Sequence, residues 1–200
     1  MDWPMTVLVI FASYLLGSVP SGYWIGLLVA KVDVRTIGSQ NIGATNVARN
    51  LGIKWGILVL MMDMVKGAVP VLVALHIWPA EAKVGSIRIA VVALAAFLGH
   101  LSSPFLRFRG GKGVATAFGI ALVLFPRAAL PSFLVFFLVT WLWRYVSLGS
   151  IMAISTLPIF AVLFGYSPIY FGLAMVVALF VVGRHRANIR DLLKGQERKL

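Results

Sequence analysis

Apolar residues dominate the chain, and its polar residues fall in clusters and not as a repeating face. A helix that crosses a bilayer needs about 20 apolar residues at about 1.5 Å rise each. Apolar segments of roughly that kind lie near residues 4–30, 57–78, 87–106, 113–126, 130–146, 148–164 and 168–183. This pattern predicts an all-α integral membrane protein of about seven transmembrane helices. The fourth and fifth segments are short and are separated by Pro126 and Pro131. They are expected to be short central helices buried in protein, the setting that tolerates broken backbone at membrane depth. The first segment, Trp3 to Ala30, is too long for the apolar stretch of a signal peptide, and Asp2 is its only early charge. It reads as a retained span.

Composition strengthens the membrane reading. Of the 200 residues, 60% are hydrophobic, and no polar stretch is long enough for a soluble domain, so one membrane domain over 1–200 is expected. There is no cysteine, which excludes disulfides and thiolate chemistry. The three histidines, His76, His100 and His185, are far apart in sequence, so no metal site is expected.

Charge then orders the segments. The net charge of +12 is concentrated near 31–56, 107–113, Arg144 and 184–200. Seven spans with the N-terminus outside bring all these groups to the cytoplasmic face, and leave Lys83, Arg88 and Arg127 outside. Five spans is the rival count. Membrane lipids are the expected partners of such charge, and nucleic acid is not, because the basic stretches are short and interrupted by spans. Asp63 and Lys66, three apart in the second span, read as a structural ion pair or a snorkelling lysine. A lone charge at mid-bilayer would cost about 2.5–3.5 kcal/mol.

Three polar segments carry the candidate chemistry. "IGSQNIGATNVARNLG", Ile37 to Gly52, offers Ser39, Asn41 and Thr45 as donors without a carboxylate, and Arg49 as a possible phosphate clamp. That set suits an anion or a polyol. "GHLSSPFLRFRGGKGVAT", Gly99 to Thr116, places Gly110, Gly111 and Gly113 around Lys112, just before a helix predicted to start near Val114. Turned backbone N–H groups, helix dipole and lysine converge there on a phosphate. The nucleotide pattern G-x-x-x-x-G-K-[ST] fails, since Leu106 and Gly113 stand where Gly and Ser or Thr are needed. His100 lies before the glycines, at membrane depth, as a functional group or a helix–helix hydrogen bond. "GRHRANIRDLLKGQERK", Gly183 to Lys199, adds His185, Asn188 and Glu197 to what is otherwise a lipid-anchoring basic tail.

Some constellations are missing. Neither His100 nor His185 has an aspartate five residues later, and the His76–Glu81 spacing falls on the predicted outer side. There is no G-x-S-x-G nucleophile elbow. An enzyme built this way would depend on a substrate that is already activated.

Together the three segments resemble the bacterial acyl-phosphate-dependent glycerol-3-phosphate acyltransferases, the PlsY family, over nearly the whole chain. "GSQNIGATNVAR", "GHLSSPFLRFRGGKGVAT" and "RHRANIRDLLKGQE" are similar to that family's first, second and third motifs. Gln40 stands where the family commonly has Gly, and Asp191 where a basic residue is common. The resemblance implies acyl transfer from acyl phosphate to the 1-hydroxyl of glycerol 3-phosphate, giving lysophosphatidic acid, at the bacterial inner membrane. It implies no cofactor. It makes Ser39 and Arg49 essential, with Asn41, Thr45 and Asn46 beside them. It ties Gly110, Gly111 and Gly113, with Lys112 among them, to acyl phosphate, and marks His185, Asn188 and Glu197 in the tail. The proton acceptor is left open between Ser39, His185 and the substrate's own phosphate. A transporter or scramblase of a phosphorylated lipid or small anion is the rival class.

Overall fold

A computed structural model of the chain describes residues 3–80 and 82–200. The sequence readings placed on Asp2 and Glu81 lie outside the described residues. Every described element is helical. The chain packs as two compact units, residues 1–120 and 121–200.

The first unit opens with α1 (Trp3–Gly17) and α2 (Ser21–Ala30), together one apolar segment of 28 residues. Pro20 breaks it: proline has no N–H, and it pushes the residue before it out of the helical region. A break inside a span frees backbone carbonyls that lipid cannot satisfy. Side chains from elsewhere in the unit reach them. Ser103 Oγ donates to the carbonyl of Ser18 at 2.6 Å, and Lys66 Nζ donates to that of Val19 at 2.7 Å.

α3 (Ala44–Leu51) is short and amphipathic, and Gly52 joins it to α4 (Ile53–Ile77). α5 (Lys83–Leu101) packs chiefly on α1 and also on α4. The α1–α5 approach is close because it is made at Gly17 and Gly99, where a Cβ would collide with the backbone of Ala96 and of Tyr14. After α5 a 3₁₀ turn (Pro104–Leu106) leads to the glycine loop and α6 (Val114–Leu124).

The second unit holds α7 (Pro126–Trp143), α8 (Val146–Leu163), α9 (Pro168–Arg184) and α10 (Arg186–Leu193). α8 packs between α7 and α9. At His185 the chain bends by 58° into α10.

The apolar segments of the sequence are all helical, but not all are long. Among the described residues, five are long and apolar enough to cross a membrane, or six if α9 and α10 count as one bent span. The two central segments differ. With 11 residues, α6 reaches about 16 Å, about half of a hydrocarbon core of about 30 Å. α7 corrects the expectation of a second short helix, since it runs 18 residues through Pro131. Pro131 is the sixth residue of the helix, and its missing N–H leaves out one ladder bond, to the carbonyl of Arg127.

Candidate active site

The first motif loop is built by one side chain. Asn46 is buried in α3, and its Nδ2 donates to the carbonyls of Val34, Ile37 and Asn41 at 2.9, 3.2 and 2.9 Å. Its Oδ1 accepts from Ser39 N–H at 2.8 Å and from Asn50 Nδ2 at 3.0 Å. The amide is saturated by the protein. Asn46 is thus the organiser of the loop, which corrects its expected place among substrate ligands. Asn41 turns the chain, accepting from Gly43 N–H at 2.9 Å. Ser39 stands exposed at the tip, Thr45 is half-buried in the first turn of α3, and Arg49 is exposed in its last turn. Gln40, beside Ser39, has φ 57°, the left-handed region where glycine is at ease. That explains why glycine is the common residue there.

Just before this loop, Asp33 and Arg35 form a pair that motif reading missed. Arg35 Nε and Nη2 donate to the Asp33 carboxylate at 2.9 and 2.6 Å, and the guanidinium lies 4.8 Å from the ring centre of Tyr23. The hydrogen bonds from Arg35 hold the Asp33 carboxyl below its usual range, and the same contact raises Arg35. The signal in the sequence was only D-x-R, a spacing common in loops.

The glycine loop differs from the expected nest. Gly110 N–H donates to the carbonyl of Leu101 and Gly111 N–H to that of His100, both at 3.1 Å. These two donors close the C-terminal end of α5 and do not point at an anion. The glycines are needed for close approach: a Cβ at Gly110 would meet the carbonyl of His100, and one at Gly111 would meet its imidazole Nε2. Gly113 has φ 84° and faces the ring of Phe97. Its carbonyl accepts the first α6 bond, from Ala117 N–H at 2.8 Å. The N–H groups of Val114, Ala115 and Thr116 therefore have no acceptor within the helix. The half-buried Lys112 lies at this positive helix end.

Behind the loop, His100 is buried, with Nδ1 3.8 Å from Oδ1 of Asp63. The same oxygen is 2.8 Å from Lys66 Nζ and accepts from Ser21 Oγ at 2.9 Å. Asp63 and Lys66 are thus the expected ion pair, and Lys66 does not snorkel.

In the second unit, His185 is buried at the α9–α10 bend, its Nδ1 2.8 Å from the carbonyl of Val181. A carbonyl only accepts, so Nδ1 carries a proton. Glu197 accepts from Asn188 Nδ2 at 2.9 and 3.1 Å and from Ser147 Oγ at 2.6 Å. Its carboxylate is therefore a clamp on the tail. These contacts hold the side chain expected among the binding residues. No feature of the sequence around Ser147 pointed to it.

This fold defines an all-α, multi-pass integral membrane protein. A family model described as glycerol-3-phosphate acyltransferase matches residues 7–195. A glycerol-3-phosphate acyltransferase from Syntrophotalea carbinolica is 46% identical, with 96% of each chain covered, and one from Fusobacterium nucleatum is 42% identical, with 95% of each covered. Among solved structures, the integral membrane glycerol 3-phosphate acyltransferase PlsY (YgiH) in its glycerol 3-phosphate form superposes with TM-score 0.89 at 38% identity, covering 98% of this chain and 96% of that one. Its lysophosphatidic acid form gives TM-score 0.89 at 39% identity, covering 98% and 95%. The chain belongs to the glycerol-3-phosphate acyltransferase family.

Proposed function

We propose that the chain, acting as one membrane domain, moves a fatty acyl group from acyl phosphate to the 1-hydroxyl of glycerol 3-phosphate. The observation that carries this reading is the near full-length match to PlsY, which has been solved in both a glycerol 3-phosphate and a lysophosphatidic acid form. The family and its solved members support acyl transfer and not the transporter reading.

The chemistry suits the residues. The hydroxyl oxygen attacks the acyl carbonyl carbon, the carbon–oxygen bond to phosphate breaks, and phosphate leaves with the electron pair. The hydroxyl proton passes to the departing phosphate. An anhydride this reactive needs alignment and charge neutralisation more than a covalent nucleophile. Lys112 and the first N–H groups of α6 stabilise the leaving phosphate. Ser39 and Arg49 hold the acceptor, with Asn41 and Thr45 beside them. Gly110, Gly111 and Gly113 shape the loop against His100; within the second unit, Glu197 holds Asn188. The charge distribution supports a cytoplasmic position for these loops at a bacterial inner membrane, with the N-terminus outside.

The test is direct. Purified protein is given acyl phosphate and labelled glycerol 3-phosphate, with acyl-CoA as the alternative donor. Labelled lysophosphatidic acid should form only with acyl phosphate. Product from acyl-CoA alone would refute the donor assignment.

A further inference from the structure

A cleft of about 860 Å³ opens in the first unit beside both motif loops, with Gln40 and Gly110 in its walls. The residues assigned above to the chemistry, Ser39, Arg49 and Lys112, are not part of its lining. Its charged lining is Arg35, Arg107 and Arg109 together with Asp33, the carboxylate already paired with Arg35, which leaves the cleft with an excess of positive charge, and its apolar lining is Ile42, Phe105 and Leu106. The charge pattern alone read these arginines as markers of the cytoplasmic side.

Arg35 is unlike a topology marker. Such a residue is a mobile, solvated side chain whose charge alone matters. Here Asp33 takes Nε and one edge of Nη2, and Tyr23 lies against the plane of the guanidinium. The side chain is fixed before any ligand arrives, so binding an anion loses little rotamer freedom. Asp33 contacts only part of the donor fork, and Nη1 takes no part in that pair. Arg107 and Arg109 are exposed and add charge at the same opening. Ile42 and Leu106 are buried, and Phe105 is more than half exposed, so the charged opening has an apolar wall.

A phosphate alone would use the arginines and leave the wall unused. A neutral lipid tail would do the reverse. We propose that this cleft is a docking site for a phosphate monoester carrying a single acyl chain, with Arg35 as its preorganised anion-binding residue. Two molecules share that chemistry, the acyl phosphate donor and the lysophosphatidic acid product. The site deepens the acyl-transfer reading by giving the lipid substrate a place beside the glycine loop that glycerol 3-phosphate does not need.

The test uses binding, so it does not depend on turnover. Protein in phosphatidylcholine nanodiscs is titrated with dodecyl phosphate, and separately with glycerol 3-phosphate. Arg35→Gln is expected to weaken dodecyl phosphate binding by about fivefold or more, and Arg107→Gln with Arg109→Gln by about threefold, with glycerol 3-phosphate changed less than about twofold. The exposed pair serves as a second variant should Arg35→Gln unfold the loop, which thermal unfolding detects. Wild-type affinity for dodecyl phosphate in both variants would overturn the proposal, as would equal loss for both ligands. Displacement of dodecyl phosphate by phosphatidylglycerol would assign the cleft to membrane diester headgroups instead. In the active protein, a raised KM for acyl phosphate identifies the donor as occupant, and weaker product inhibition identifies lysophosphatidic acid. Failure of the acyltransferase assay with intact dodecyl phosphate binding would leave the cleft standing and remove only the reaction.

Discussion

Lys66 Nζ lies 2.8 Å from Oδ1 of Asp63 on α4 and 2.7 Å from the carbonyl of Val19 in the break between α1 and α2. One ammonium therefore balances a buried carboxylate and satisfies a backbone group that the break exposed. Removing it alone leaves Asp63 charged without its ammonium, a loss of about 3–5 kcal/mol. Lys66→Met is expected to lower thermal stability in detergent sharply. Adding Asp63→Asn should restore part of it, since the buried charge is then gone and the Val19 carbonyl keeps its second donor, Ser21 N–H at 3.1 Å.

Gly111 packs where a Cβ would strike the His100 imidazole. Gly111→Ala should raise the KM for acyl phosphate several-fold, on the order of 1 kcal/mol in binding, and move that for glycerol 3-phosphate little. If the cost is this collision, His100→Ala in the Gly111→Ala background should recover part of the donor KM. Equal loss for both substrates would indicate a general collapse of the loop.

Gln40 holds a left-handed backbone conformation at φ 57° and is exposed. Replacing it by glycine removes the Cβ penalty, offset in part by the greater freedom of the unfolded chain. A net gain on the order of 1 kcal/mol is expected. Gln40→Gly should raise the unfolding midpoint, measured by thermal unfolding.

Asp33 titrates lower in the folded loop than its ordinary value near 3.8, because Arg35 donates hydrogen bonds to its charged form. Its stabilising contribution is complete above the unfolded value and is lost as pH falls through the lower, folded one. Thermal unfolding followed from neutral pH into acid should show the parent losing stability over that window. Asp33→Asn, which has no carboxylate to protonate, should show a smaller loss there.

Glu197 receives hydrogen bonds from both Asn188 and Ser147. If it positions the tail, Ser147→Ala should lower activity mildly and Glu197→Ala strongly. Glu197→Gln, which keeps an acceptor, should fall between. Equal activity of Glu197→Ala and the parent would remove the clamp from the mechanism.

The sequence alone determined the helical, membrane-embedded class, because bilayer thickness sets a length that hydropathy reveals directly. It also determined where the loops lie, since the basic residues concentrate between the apolar segments, and it found the Asp63–Lys66 pair, because residues three apart share a helical face. Tertiary structure decided what each loop residue does. Asn41 and Asn46 are the same residue type five positions apart, yet one turns the chain and the other fills its amide with loop carbonyls. The N–H groups of Gly110 and Gly111 close α5, a use fixed by how the returning chain packs on that helix end. Val19 as partner of Lys66, and Ser147 as partner of Glu197, lie 47 and 50 residues away in sequence. Local pattern records backbone preference and solvent, whereas a hydrogen bond depends on which atoms folding brings within about 3 Å.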